Sequence, residues 1–158
     1  MVSRRAEIVM TPHEVASYLR DGRTIVLVTQ GPDGLPDPVP MWYVVDPAGA
    51  VRMRTYATSQ KAANLRRQPR VACLVCDGER YAELRGVQLT GRVELVTDPE
   101  WIADVVAGLM VKYEGLAAEH VPAARAAAVA RAGKQVGLLL HVDRAVSWDH
   151  RKLDGAGR

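Results

Sequence analysis

Residues 83–96 alternate, with Val87, Leu89, Val93 and Leu95 on one side and Gln88, Thr90, Arg92 and Glu94 on the other. This is the period of two expected of a strand with one buried face. Gly86 and Gly91 interrupt it where a curved sheet bends or bulges. Residues 135–148 repeat the pattern, placing Val136, Leu138, Leu140 and Val142 together. Ile25–Val28 and Val71–Cys76 are apolar on both faces, as in strands covered twice. Residues 38–45 have strand composition, but Pro38 and Pro40 restrict them to an edge or a bulged start. Asp46-Pro47-Ala48-Gly49 turns the chain into a further strand, Ala50–Tyr56.

Four segments carry helical signals. Thr11-Pro12-His13-Glu14 is a capping box that opens a helix through Arg20, ended by Asp21-Gly22. Thr58 or Ser59 caps a helix over Lys61–Arg67 that Pro69 stops. After Asp98-Pro99-Glu100, the residues Trp101, Ile102, Val105, Val106, Leu109, Met110 and Tyr113 form one apolar stripe. An alanine-rich helix runs from about Pro122 to Ala132 and stops at Gly133. The order is one helix, three strands, one helix, two strands, two helices and one strand. Too few helices separate the strands for βαβ repeats, so the pattern predicts an α+β protein: a small barrel of six mostly antiparallel strands with flanking helices. Residues 1–150 form its single domain and 151–158 a flexible tail.

Composition narrows the classes. A chain of 158 residues, 48% hydrophobic and 25% charged, is large enough for one core and ordinary for a globular protein. No apolar run approaches the roughly 18 residues of a membrane span. Met1–Arg5 is followed by no signal-type apolar core, so the expected location is cytoplasmic, away from membranes. Cys73 and Cys76 have a Cys-x-x-Cys spacing within an apolar strand-like run, where residues three apart face opposite sides. With His13, His120, His141 and His150 scattered, the reading is two buried structural thiols and no metal.

Charge is where the pattern becomes specific. The net charge is +3, yet residues 47–76 hold no acid and six cations, Arg52, Arg54, Lys61, Arg66, Arg67 and Arg70, leaving −3 for the rest of the chain. The excess is local and not interleaved with aromatics, so no nucleic-acid partner is expected. Lys61 falls in the first turn of the predicted helix, where the dipole disfavours a cation by about a few tenths of a kcal/mol unless an anion is bound beside it. Arg52, Arg54 and Tyr56 share one strand face, which brings cations to the same end of the helix. An anion site centred on Ser59 and Lys61 follows. Arg66, Arg67 and Arg70 read as a solvated helix end favoured by the C-terminal dipole. There is no Gly-x-Gly-x-x-Gly, P-loop, Gly-x-Ser-x-Gly or His-Glu-x-x-His.

Over Met53–Val71, and above all at Arg54-Thr55-Tyr56-Ala57-Thr58-Ser59-Gln60-Lys61-Ala62-Ala63-Asn64-Leu65, the chain resembles the pyridoxamine 5′-phosphate oxidase-like split β-barrel proteins. More closely it resembles their flavin/deazaflavin oxidoreductase B group. The similarity covers about residues 10–148, including Gly34-x-Pro36-x-Pro38-Val39-Pro40-Met41-Trp42 and Glu83–Gly91. Its Ser-x-Lys-x-x-Asn-Leu element is specific to the superfamily but silent on substrate.

The resemblance implies a homodimer with the deazaflavin coenzyme F420, or FMN, in a groove at the subunit interface. The phosphate would sit on Ser59, Gln60 and Lys61, with Asn64 in the same cradle. Arg54 and Thr55 would flank the ring or ribityl chain, and Met41 and Trp42 would meet the ring. Arg85 and Gln88 would line the groove from the same or the second subunit. On its own pattern Trp42 is equally a core aromatic. Ser59-Gln60-Lys61 replaces the Ser-Arg-Lys of the pyridoxamine phosphate oxidases, Arg85-Gly86-Val87 replaces their Arg-Gln-Val, and their Arg-x-His motif is missing near Trp148. Vitamin B6 oxidation is therefore not expected. The function implied is an F420-dependent oxidoreductase passing a hydride to an electron-poor organic acceptor. The alternatives are an FMN-dependent oxidoreductase, or a non-catalytic flavin- or haem-binding module, on the same barrel. No proton donor is assigned, Tyr43, Tyr56 and water being equal candidates.

Overall fold

The computed structural model describes residues 4–153. A short helix α1 (Arg4–Glu7), which the sequence pattern does not announce, precedes α2 (Pro12–Asp21). The start of α2 is the capping box: Thr11 Oγ1 accepts from the Glu14 amide at 3.2 Å and Glu14 Oε2 accepts from the Thr11 amide at 2.6 Å. Strands β1 (Ile25–Gln30), β2 (Pro36–Met41), β3 (Val44–Val45) and β4 (Val51–Tyr56) come next. They are followed by α3 (Gln60–Arg67), β5 (Arg70–Asp77), β6 (Arg85–Val96), α4 (Pro99–Leu109), α5 (Val121–Arg131) and β7 (Gln135–Asp149).

All seven strands belong to one antiparallel sheet, ordered β2-β1-β5-β6-β7-β4-β3. Its edges, β2 and β3, are consecutive in the chain and separated only by Trp42 and Tyr43. A sheet whose two edges lie that close along the chain has to curl, which makes a split barrel with its seam at Trp42-Tyr43. The α+β class with flanking helices holds. The strand count is seven rather than six, because the expected strand over 38–45 is broken at the seam.

Both halves of the break have a physical cause. Pro36, Pro38 and Pro40 lack an N–H, so β2 can pair only on the side facing β1. Beyond it, Tyr43 is fully buried and its hydroxyl donates to the Leu19 carbonyl at 2.6 Å. Its backbone is satisfied by side chains instead of a neighbouring strand. The Tyr43 amide donates to the Tyr113 hydroxyl at 3.1 Å, while its carbonyl accepts from that hydroxyl at 3.0 Å and from Lys112 Nζ at 3.2 Å. Tyr113 and Lys112 lie in a wide π-type turn, Met110–Glu114, that extends α4 and is closed by Gly115 at φ +70.

The barrel interior is filled by Ile25 and Leu27 of β1, Val51 and Met53 of β4, Cys73 and Val75 of β5, Val87 and Leu89 of β6 and Leu138 of β7. Val142 was expected to join them but is exposed, because the β6–β7 register shifts between Thr90 and Gly91. A Cβ on Gly91 would lie 2.0 Å from the His141 carbonyl oxygen, so the bulge requires glycine there. Cys73 is buried, and burial pushes its thiol up to about 12. Cys76 is exposed at the strand end, against the expectation of two buried thiols. Among the described residues no helix is long and apolar enough to cross a membrane.

Candidate functional site: a free helix end beside the barrel seam

Ser59 is the N-cap of α3, with its hydroxyl oxygen accepting from the Ala62 amide at 3.3 Å. The Thr55 hydroxyl donates to the same oxygen at 3.2 Å, so the Ser59 proton is left to point away from the helix. The first α-helical bond runs from the Ala63 amide to the Ser59 carbonyl. The amides of Gln60 and Lys61 therefore have no partner among the described residues, as the first turn of a helix requires unless a ligand supplies one. The turn before the helix is fixed twice, by the Ser59 amide donating to the Tyr56 carbonyl at 3.0 Å and by Arg66 Nη2 donating to the Ala57 carbonyl at 2.9 Å. Arg66 thus braces the turn from the far end of its own helix. Both bonds hold the turn through groups of the chain itself.

The same helix is anchored from below by Asn64, which is fully buried. Its amide donates to Thr29 Oγ1 and to Asp37 Oδ2, both at 2.9 Å, and its oxygen accepts from Gln60 Nε2 at 2.9 Å. Asn64 and Gln60 are thereby engaged with protein groups. Arg67 Nη2 donates to the Gln30 carbonyl at 2.5 Å and holds the β1–β2 hairpin to α3. Of the six cations, Arg52 departs from the expected convergence: it is paired with Asp46 and lies 5.2 Å from the Trp101 ring centroid. The other five have no carboxylate partner among the described residues.

Beside the helix end, a cavity of about 300 Å³ opens at the barrel seam. It is lined by Pro40, Met41, Trp42, Arg54, Thr55, Tyr56 and Leu109. Met41, Trp42, Arg54 and Thr55, named separately from the sequence, are brought together here, and the Thr55–Ser59 hydrogen bond joins the cavity to the cradle. Trp42 is 52% exposed, which removes the core reading of its ring. It stacks on Tyr113 with centroids 4.5 Å apart and planes 8° from parallel. The Arg23 guanidinium covers Tyr113, 4.8 Å from its centroid.

Arg85 and Gln88 are elsewhere in the chain's own fold. Arg54 faces Gly137 across the β4–β7 ladder, whereas Arg85 faces Asp149 at the opposite end of β7. Arg85 forms a two-pronged ion pair with Asp77 at 3.1 and 2.8 Å and lines a larger cleft of about 490 Å³ with Tyr18, Asp149 and Arg151. Of the charges lining that cleft, Arg85 is paired with Asp77, Arg151 with Asp149 at 2.6 Å and Glu14 with the neighbouring Lys152 at 2.7 Å, so most of its cations are already neutralised and its size does not make it the anion site. Gln88 is exposed on the outer face of the sheet. Sequence reasoning missed Leu109, Tyr113 and Arg23. The first two carried a signal, since their i, i+4 spacing puts them on one helix face; Arg23 carried none.

The profile described as pyridoxamine 5′-phosphate oxidase matches residues 11–148. The chain belongs to the pyridoxamine 5′-phosphate oxidase family. Within that fold it is 41% identical to the conserved hypothetical protein Rv2991 from Mycobacterium tuberculosis, over 97% of this chain and 93% of that one, with a TM-score of 0.85. It is 27% identical to a protein described as an F420 reductase, over 82% and 93% of the two chains, with a TM-score of 0.61. A FAD-binding protein from Mesorhizobium loti shares the fold at 19% identity, over 88% and 93% of the chains, with a TM-score of 0.63. Among proteins of curated function none matches. In this chain the seam cavity and the free end of α3 lie side by side, joined by the Thr55–Ser59 hydrogen bond.

Proposed function

We propose that this chain is an oxidoreductase that binds the deazaflavin F420 and passes a hydride to an electron-poor organic acceptor. The observation that carries the reading is the unpaired end of α3: two free amides and the capping Ser59 hydroxyl lie where an anion is stabilised by the helix dipole, with Lys61 in the same first turn. The residues present fit a phosphate there, and the adjoining cavity offers an indole face and a guanidinium to a flat ring. A bound flavin or deazaflavin supplies the hydride chemistry itself. Ser59, Gln60 and Lys61 bind the phosphate. Arg54 and Thr55 orient the segment between phosphate and ring, and Met41 and Trp42 wall the ring region. Asn64 positions the cradle by holding α3 to β1 and β2. Tyr43 is unavailable as a proton donor, since it is buried with its hydroxyl on the Leu19 carbonyl; Tyr56, exposed at the cavity rim, and water remain.

FMN needs only the cradle, whereas the F420 tail carries further anionic groups. Arg54, Lys61, Arg66, Arg67 and Arg70, none paired with a carboxylate among the described residues, favour the longer anion. The likeness to the F420 reductase supports the same choice. A homodimer completes this reading. Val26, Val28, Ala72, Leu74 and Val146 are only half-buried on the outer face of the sheet, in a row that also holds Gln88. A second copy laid on that face covers the apolar row and brings its own Gln88 to the groove. Mixing the protein with chemically reduced F420 or FMN and an electron-poor quinone, and following cofactor reoxidation by absorbance, tests the activity. Faster reoxidation with F420 is expected. Binding without turnover reduces the protein to a carrier, and binding of neither overturns the reading.

A further inference from the structure

A second concavity, of about 480 Å³, opens between the end of α2, strand β3 and helices α4 and α5. It shares no lining residue with the seam cavity, the anion cradle or the half-buried outer row of the sheet. Its floor is apolar: Val44, Val45 and Val121 are only half-buried and Val111 is 46% exposed, so the described chain leaves these side chains uncovered. Two cations with no carboxylate partner among the described residues, Arg20 and Lys112, line the same concavity. Lys112 is the unusual one. Its ammonium donates to the Tyr43 carbonyl at 3.2 Å and lies 4.0 Å from the Tyr43 ring centroid, contacts that replace water without supplying a counter-charge. Arg23, which donates to the Lys112 carbonyl, adds a like charge nearby that Asp21 offsets only in part. The pocket's third cation, Arg125, is already paired twice, with Glu100 at 2.6 Å and Asp104 at 2.5 Å, which makes its part of the rim net acidic.

We propose that this pocket binds a small organic monocarboxylate with an apolar body, its carboxylate on Arg20 and Lys112 and its body on the valine floor. The anion returns to Lys112 the counter-charge it lacks and meets the planar fork of Arg20. A second negative charge on the ligand would face Glu100 and Asp104, which favours one carboxylate over a phosphate or a dicarboxylate. An apolar pocket of this volume with a few polar groups has the make-up of a small-molecule site. Because no cofactor-binding residue takes part, the site stands or falls independently of the F420 reading.

The test is equilibrium dialysis of the full chain, near neutral pH and without cofactor, against 4-phenylbutyrate, its neutral amide 4-phenylbutyramide, and acetate. For a ligand of this size a dissociation constant of about 0.1–1 mM is expected. The amide should bind about tenfold more weakly, as loss of one charge-assisted contact implies, and acetate not measurably. Lys112→Met, which keeps the apolar stem and removes the charge, should weaken phenylbutyrate binding about tenfold, and Arg20→Gln, at a more exposed and screened position, about threefold. Neither should alter binding of the amide. Val111→Glu, which sets a negative charge on the floor, should abolish binding of the acid. Arg20 and Val111 are exposed, so these two variants test the site even where Lys112→Met disturbs Tyr43. Lys61→Ala should leave the acid affinity within about twofold, close to the resolution of such comparisons. Equal affinity for acid and amide, or an acid affinity untouched by Arg20→Gln and Val111→Glu, overturns the proposal. So does loss of binding in Lys61→Ala, which would put the acid in the cradle at α3, or the absence of saturable binding up to about 5 mM, beyond the expected range.

Discussion

Lys61 occupies the turn of α3 where a positive charge is least welcome, and nothing within the described residues neutralises it. Replacing it with alanine should therefore leave the thermal unfolding midpoint nearly unchanged while weakening cofactor binding by about 1.5–3 kcal/mol, the scale of one hydrogen bond to a charged group. Ser59→Ala should behave differently. It removes the helix cap as well as a phosphate donor, so thermal unfolding should register a loss of about 1 kcal/mol together with weaker binding. A third residue, Lys112, reports on the seam. Burial first, and then the nearby Arg23 charge, push its amine down to about 8 from an ordinary 10.5, against a smaller pull from Asp21. Between those values the unfolded chain holds a proton that the folded chain has released, so stability rises with pH across that window. Lys112→Met should remove that rise in denaturant unfolding followed from pH 7.5 to pH 10, roughly the interval between the two protonation equilibria. The cradle residues were legible in the sequence because a cap and a misplaced first-turn lysine are local signals. The Trp42 stack was not, since Tyr113 and Arg23 reach it only through the fold.

At the scale of elements, α3 is held as a unit by Asn64, whose partners come from β1 and from Asp37 of β2. Asn64→Leu keeps the volume but deprives Thr29 and the half-buried Asp37 carboxylate of their donor. It should cost about 2–3 kcal/mol. For a chain of this size that lowers the unfolding midpoint by roughly 5–10 °C in calorimetry. If the midpoint is unmoved, α3 is anchored by its apolar contacts alone. The capping box of α2, the edge position of the proline-bearing strand and the inward alternation of β6 were all readable, since each follows from a rule on neighbouring residues. The break between β2 and β3 was not. Met41-Trp42-Tyr43-Val44 has uninterrupted strand composition, and what stops the ladder is a hydroxyl from residue 113 taking both backbone groups of Tyr43.

For the whole molecule, strand alternation and the scarcity of helices were enough to predict an α+β barrel, but not its seventh strand or the way the sheet closes. That emerges only from the strand order, in which two chain-adjacent strands become opposite edges. The apolar outer row running from Val26 through Leu74 to Val146 should be covered by a second copy, so sedimentation at micromolar protein is expected to give a dimer. Val26→Glu with Leu74→Glu should shift it to monomer and lower cofactor affinity if the groove is shared. A monomeric parent that binds cofactor with full affinity would put the entire site in one chain. The most direct measurement is an equilibrium titration of the purified protein with F420 and with FMN at low and at high salt. The expected result is tighter binding of F420, with an affinity that falls more steeply with salt than that of FMN because more of its anionic groups are engaged. Tighter FMN binding with equal salt slopes would contradict the deazaflavin assignment, and binding of neither at any salt would contradict the anion site itself.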